Sequence, residues 1–557
     1  MAPLLQMWAF PSAIGFIVWL MATWYGEVMH KVPNPYLDEY FHVPQAQKYC
    51  KGDYSWDPKI TTPPGLYLIS KLYKPLLGCE IGSLRLVNAQ ALCVILVLSY
   101  GILRILRTRD NRSKSLTENE KKARLNHATQ DSTYMVDVHS ALNVALFPPL
   151  FFFSALYYTD VWSTLAVLLA FYAYLANSQS IRTVTGYSSA VSFGVFALLF
   201  RQTNIFWVAV FPAGLAVADA LKKDAPSTMS DRADPILAIQ TAWKDGTVHD
   251  YSVQDAGLQD VVVFVLSLVV AALRQPLLVL KVASPYITLL GLFAGFVAWN
   301  GSVVLGDKSA HTATIHFPQM LYIWPYIAFF SAPLLVRSLL GPLVPFLPMR
   351  LQTACHDYRI ASSFGLPTLL TSGLSLACSF LAVHFNTIIH PYTLADNRHY
   401  VFYVFKMLRL YPALKYLAIP VYYACAWSTI QALASPAKTI SRVVEQAPEE
   451  KIPTDLSKDT ADRHPCQISF VIIWLATTAL SVITAPLVEP RYFIIPWIIW
   501  RLHVPCGQTT NSRYRYDIRL VLETIWLLAI NAAVSYTFLF RTFTWSSEPG
   551  NLQRFIW

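Results

Sequence analysis

Charge is what this sequence has least of: Asp, Glu, Lys and Arg make up 14% of its 557 residues, against about a quarter in soluble domains. Too little polar surface remains to clothe a soluble fold of this length. A phosphate-binding loop is missing too. Gly301 to Gly306 has the spacing, but Asp307 follows where a lysine is required. There is no Asp-x-Asp pair for a metal-bound nucleotide sugar, no CxxC, and no cysteine pair at zinc spacing with histidine. Soluble nucleotide donors and metal frameworks are therefore disfavoured, and no metal site is expected. No repeat of fixed period is visible, and the two halves carry no matching broken helices of the transporter kind.

What fills the chain is apolar sequence, 55% hydrophobic, with runs long enough to cross about 30 Å of hydrocarbon. Clear spans read at 7–26, 88–106, 139–158, 161–176, 286–305, 366–386, 467–488 and 520–540, and weaker candidates raise the total to roughly 12 to 14. The fold class is thus an all-α polytopic membrane protein, a single transmembrane domain over 1–557. No Lys or Arg precedes Lys31 and no small-residue cleavage site follows the first run, so that run reads as a retained anchor. The net charge of +10 is spread over loops rather than gathered in an aromatic-lined stripe, which points to membrane topology and no nucleic acid.

Two kinds of segment separate the spans. The stretches 107–138 and 433–466 are rich in charge, 220–258 and 341–361 mix Pro, Arg, Lys and His without apolar periodicity, and all four read as cytosolic loops. The others are short words dense in acids, bases, histidines and aromatics: PYLDEYFHVPQAQ, RQTN, GDKSAHTATIHFPQ, HPYTLADNRHY and EPRYF. If 28–87 is a luminal loop, counting spans brings all five words to the luminal face, provided 259–284 crosses twice or lies as an interfacial helix. The sequon at Asn111 then falls on the cytosolic side. Cys50 and Cys79 share the 28–87 loop, where an oxidising lumen permits a disulfide.

Asp38 and Glu39 follow the first span by a dozen residues, near the interface, where a carboxylate is part-desolvated yet meets a water-borne sugar. Tyr36, Tyr40, Phe41, His42, Trp56, Thr61, Thr62 and Tyr67 surround them in sequence with stacking rings and hydroxyls. Adjacent acids on an arbitrary loop are usually just solvated, and this context argues against that reading. Arg201, Asp307, Lys308, His311, His316, His390, Asp396, Arg398, His399, Glu489 and Arg491 all sit at span ends. Singly, each reads as a snorkelling or paired residue; together, three loops offering a cation and a histidine to one face suit an anionic lipid phosphate.

The words LDEYFHVPQAQKYC, DPKITTPPGLYLIS, RQTNIFW, GDKSAHTATIHFPQMLY, HPYTLADNRHYVFYVFK and EPRYFIIP closely resemble the dolichyl-phosphate-glucose-dependent alpha-1,2-glucosyltransferase family, from Tyr36 to about Pro496. Departures are slight: Lys308 stands where Arg is more usual, and Lys59 where an apolar residue is. The resemblance implies GT-C glycosyltransferase architecture in the endoplasmic reticulum membrane, with the site facing the lumen. It implies dolichyl-phosphate glucose as donor and a diglucosylated dolichyl-diphosphate oligosaccharide as acceptor, at the last step of lipid-linked oligosaccharide assembly for N-glycosylation.

For mechanism the resemblance implies one inverting displacement, from a beta-linked donor to an alpha product, with Asp38 as the base and Glu39 orienting it or holding the acceptor sugar. The leaving phosphate needs cations rather than a metal or other cofactor, and Arg398, His399, Arg201, Lys308 and Arg491 are the pool. His42, Gln202, Gln319, Asn397, Tyr400 and Tyr492, from the same words, complete the implied substrate-binding set. A transporter of lipid-linked sugars would need ionisable groups deep within the spans, which largely lack them. A noncatalytic partner of another membrane protein would tolerate Asp38→Asn.

Overall fold

The computed structural model describes residues 2–115, 123–177, 183–222, 234–254, 256–308, 314–340, 346–349, 367–434, 466–485, 487–506 and 516–557. Nearly all of this is helix. In chain order the helices are α1 (Ala2–Lys31), α2 (Glu39–Lys51), α3 (Gly65–Leu77), α4 (Ile81–Ser115), α5 (Ala123–Ala145), α6 (Pro148–Phe153), α7 (Thr159–Asn177) and α8 (Val184–Leu198). A π-helical turn (Phe206–Val210) leads into α9 (Phe211–Lys222), then α10 (Pro235–Asp245), α11 (Leu258–Arg274), α12 (Pro276–Asn300), α13 (Gln319–Phe330) and α14 (Ala332–Leu340). The remainder are α15 (Leu369–Asn386), α16 (Tyr400–Leu410), α17 (Leu414–Gln431), α18 (Ile468–Val482), α19 (Ile494–His503) and α20 (Ile518–Phe540), followed by an antiparallel hairpin of Phe543–Trp545 and Glu548–Gln553.

Among the described residues, 6 helices are long and apolar enough to cross a membrane: Met7–Lys31, Ile81–Arg109, Thr159–Asn177, Pro276–Asn300, Leu369–Asn386 and Ile518–Phe540. Val184–Leu198 and Ile468–Val482 are apolar but shorter. The molecule is a multi-pass membrane protein.

The span read at 139–158 is broken. Pro148 and Pro149 cannot donate to a continuing helix, so α5 stops at Ala145, Phe147 turns extended, and α6 restarts with proline in its first turn. The span read at 286–305 is shifted: the helix begins at Pro276 and ends at Gly301, whose φ of 69° suits a residue without Cβ. Residues 258–274 form one helix packed on α10, broken from α12 at Gln275. Helix also occupies 107–115 and 123–138, within a stretch read as loop.

Aromatic packing fills the bundle centre, with Phe147 stacked on Trp497 at 3.8 Å and Trp474 and Trp500 fully buried. At one end lies a paired ionic cluster. Arg501 bonds Glu523 through two 2.6 Å hydrogen bonds, Asn143 joins Glu523 at 2.7 Å, and Arg107 holds Asp137 at 2.6 Å. The five polar words gather at the other end. There a Cys50–Cys79 disulfide ties the last turn of α2 to the residues before α4, closing the pair that the sequence allowed.

Candidate active site

Asp38 is held at the mouth of the bundle by unusual backbone. Leu37, just before it, has φ of 52°, a left-handed conformation that non-glycine residues adopt at some cost. Asp38 then occupies the N-cap of α2 with its side chain 42% exposed. Its Oδ2 accepts a 2.8 Å hydrogen bond from Nη1 of Arg491, while its amide donates to the Tyr158 hydroxyl at 3.3 Å. Desolvation opposes its ionisation, but the Arg491 guanidinium, His42, the Arg491 hydrogen bond and His399 outweigh it, so the carboxyl is held below its ordinary range. Asp38 is ionised at neutral pH.

Glu39, its neighbour, points the other way and is fully buried. Arg85 of α4 grips it with Nε on Oε1 at 2.8 Å and Nη2 on Oε2 at 2.6 Å. The amides of Tyr157 and Tyr36 add bonds of 2.6 and 3.0 Å. Arg85 spends its other donors on the carbonyls of Val32 and Asn34. Glu39 therefore ties the first polar word to α4 and to the turn at 154–158. Asn88, one turn along α4, donates to the carbonyls of Leu156 and Tyr158 and holds the same turn. Of the roles open to Glu39, orienting the loop is the one this geometry provides.

Arg491 is a hub of three carboxylates. Besides Asp38 it bonds Glu489 at 2.8 Å and lies 3.7 Å from Asp160, with its guanidinium over the rings of Phe153 and Tyr158. Arg201 reaches the other oxygen of Asp160 at 3.1 Å. Residues 201–204 form a turn stapled by Asn204, which donates to the Ala197 carbonyl and to Ser163, before the π-helical turn. Such turns recur at functional sites because they re-aim one residue. Nearby, His42 shares a 2.6 Å hydrogen bond with the Tyr67 hydroxyl. Burial pushes its imidazole below the ordinary value against the pull of Asp38. Tyr492 sits beside the hub on the same short helical turn.

The remaining predicted residues divide between shaping this mouth and bracing it. Gln202 donates to the Thr61 carbonyl at 2.7 Å, and the Asp307 amide to the Pro58 carbonyl at 2.7 Å. Gly306, with φ of 63°, comes so close to Pro58 that a Cβ would strike its carbonyl oxygen. Lys308 lies apart, bonded to the Asn300 carbonyl at the end of α12. His316 is fully buried, its Nε2 accepting from the Ile388 amide, and burial lowers its pKa to about 4. Gln319 donates to the carbonyls of Ala485 and Leu487, bracing the approach to Glu489. His311 lies outside the described residues.

His390 caps its own turn by accepting from the Tyr392 amide. Arg398 is doubly bonded to Asp396, reaches Gln553, and lies over the Trp545 ring, whose Nε1 bonds Asn397. His399 bonds the Trp557 carbonyl oxygen, and the Tyr400 amide donates to Ile556. The word at 390–400 is thus strapped down by residues 543–557, a segment in which sequence reading found nothing. Arg85, Asn88 and Asp160 were missed as site residues as well. The available signal was an ionisable or amide side chain at a span end on the side of the five polar words. Among the described residues no group of three or more His, Cys, Asp or Glu is placed to hold a metal ion.

The class defined by this fold and site is a polytopic membrane protein with a part-exposed carboxylate set against guanidinium groups at one mouth of its bundle. The chain belongs to the DIE2/ALG10 family, whose model matches residues 32–502. It is 39% identical to "Dol-P-Glc:Glc(2)Man(9)GlcNAc(2)-PP-Dol alpha-1,2-glucosyltransferase" of Emericella nidulans, over 98% of each chain. Proteins of the same description from Pyricularia oryzae and Homo sapiens are 37% and 29% identical, over 100% and 99% of this chain and 94% and 99% of theirs. The apo crystal structure of an Archaeoglobus fulgidus oligosaccharyltransferase aligns with 90% of this chain and 57% of that one at 12% identity and TM-score 0.27, too loosely to inform the fold.

Proposed function

We propose that this protein transfers glucose from dolichyl-phosphate glucose to the diglucosylated dolichyl-diphosphate oligosaccharide, forming an alpha-1,2 linkage with inversion at the luminal face of the endoplasmic reticulum membrane. The observation that carries the chemistry is Asp38, ionised and part-exposed, with Oδ2 fixed by Arg491. The acceptor's 2-hydroxyl gives its proton to Asp38 as its oxygen attacks C1 of the donor glucose. The C1–O bond to phosphate breaks, and dolichyl phosphate leaves with the electron pair. One base and one displacement invert the anomeric centre.

Charge developing on the leaving phosphate meets the guanidiniums of Arg491 and Arg201, so no divalent metal is required. An apolar cleft of about 580 Å³ between α13 and α15, lined by Phe317, Met320, Leu381 and Phe385, suits the polyprenyl part of a lipid donor. The disulfide in the first polar loop fits an oxidising lumen on that side.

The test is glucose transfer by purified wild type and Asp38→Asn, with acceptor binding followed in parallel and an excess-chelator arm. Wild type should transfer in chelator, and the variant should bind without transferring. Equal transfer by both would remove Asp38 as the base, loss in chelator would remove metal independence, and no transfer by wild type would remove the reaction itself.

A further inference from the structure

Asp160 has no part in the transfer as described, yet it lies buried at the mouth between two guanidiniums. It stands in the first turn of α7 with its side chain 1% exposed. Neither carboxylate oxygen has a hydrogen bond of good geometry, although guanidiniums lie 3.1 and 3.7 Å away on either side. A buried carboxylate without hydrogen bonds is costly. An ordinary structural acid in a first helical turn would bond free backbone amides, and this one faces two cations instead.

We propose that Asp160 is a positioning residue that holds Arg491 and Arg201 in register and sets the charge against which Asp38 works; the proposal rests on the reading of Asp38 as base. Arg201 and Arg491 carry two positive charges, and Asp160 and Glu489 carry two negative ones, so Asp38 faces a balanced set. The other groups around this set are His42 from α2, Tyr158 from the turn before α7, Tyr326 from α13, Tyr492 beside Arg491, and His399 before α16. Without Asp160 the set carries one surplus positive charge. The guanidiniums then repel each other, and the Asp38 carboxylate is held more firmly ionised as a weaker base. Without Arg201 the surplus is negative, and Asp38 takes its proton at higher pH.

The readout is the acid limb of the kcat–pH profile at saturating donor and acceptor, for the full chain in Asp160→Asn, Arg201→Met and the double variant, with thermal unfolding alongside. Asp160→Asn should lower kcat about tenfold and move the limb to lower pH. Arg201→Met should move it to higher pH, and the double variant should return it toward wild type. A limb that stays put in Arg201→Met, or moves the same way in both single variants, overturns the proposal. Should Asp160→Asn fail to fold, Arg201→Met alone decides. Asp38→Asn separates the two readings: if it is inactive while the limbs do not move, positioning by Asp160 is wrong and the base stands; if it remains active, the base reading has failed.

Discussion

Asp38 and Arg491, 453 positions apart in the chain, meet through a single 2.8 Å hydrogen bond to Oδ2 of the carboxylate. A bidentate pair would occupy both oxygens, as Arg85 does with Glu39. Here the guanidinium's other donor goes to Glu489, so Arg491 orients Asp38 without enclosing it. Replacing Arg491 by Met should leave three carboxylates at the mouth with one fewer cation, and cost about 100-fold or more in kcat. Steady-state transfer assays at saturating donor read this directly. A variant within about threefold of wild type would remove Arg491 from the machinery.

The adjacent acids should separate cleanly by assay. Glu39→Gln breaks a buried pair and strands the Arg85 guanidinium, a loss on the order of 3–5 kcal/mol of stability. Thermal unfolding in detergent should therefore drop sharply for Glu39→Gln and little for Asp38→Asn, whose side chain is part-exposed. If Glu39→Gln melts like wild type and is merely inactive, Glu39 belongs to the chemistry after all.

These two acids also show how far the sequence could be read. Its five polar words do converge on one face, because each sits at a span end and topology alone brings them together. The adjacent positions Asp38 and Glu39 look equivalent on paper; Leu37 in a left-handed conformation and α4 behind them send one carboxylate outward and the other in. No local pattern shows that Arg85 waits for Glu39, or that Pro148 and Pro149 turn an unbroken apolar run into a helix end and a buried turn that carries Tyr157 and leads to Asp160 at the start of α7. Arg398 and His399 stood in the pool of phosphate cations, but Asp396, Trp545 and Trp557 engage them. Those partners lie far along the chain, where only the fold could supply them.

Two histidines set opposite expectations for pH. Burial keeps His42 below its ordinary value, so its titration should add no limb in the usual histidine range, and the acid limb should follow Asp38, held below the ordinary carboxylate range by Arg491. His316, lowered to about 4, acts on stability. Its neutral folded form contributes fully above the unfolded value near 6.5. That contribution is lost as pH falls from there to about 4, because the unfolded chain takes the proton first. His316→Gln should flatten unfolding midpoints across that window; an unchanged slope would show that another group governs it.

The Cys50–Cys79 bridge closes a loop with sequence separation 29 that runs from the end of α2 through the Pro58–Thr61 segment and α3. Its loss should cost about 2–4 kcal/mol, and the loosened loop should also release the contacts of Gln202 and Asp307. Alkylation followed by mass measurement, with and without reductant, should show these two thiols protected only when unreduced. The paired Cys50→Ser, Cys79→Ser variant should melt lower. Free thiols in the freshly purified protein would contradict the bridge.

Tyr36 offers the sharpest test of the strap formed by residues 543–557. Its buried hydroxyl donates to the Arg554 carbonyl at 2.7 Å and accepts from the Arg554 amide at 2.8 Å. The Arg554 guanidinium in turn bonds the carbonyls of Phe538, Leu539 and Lys31. One side chain thus joins the strap to the end of α1 and to the word carrying Asp38, while Ile556 and Trp557 bond the word carrying His399. Tyr36→Phe leaves the ring packed on Phe538 but strands a buried amide and carbonyl, costing about 1–3 kcal/mol. Because the strap spans both words, the variant should lose kcat as well as stability, and amide exchange should rise together at 36–42 and 396–400. Exchange confined to 36–42 would show that the strap braces each word separately and does not couple them.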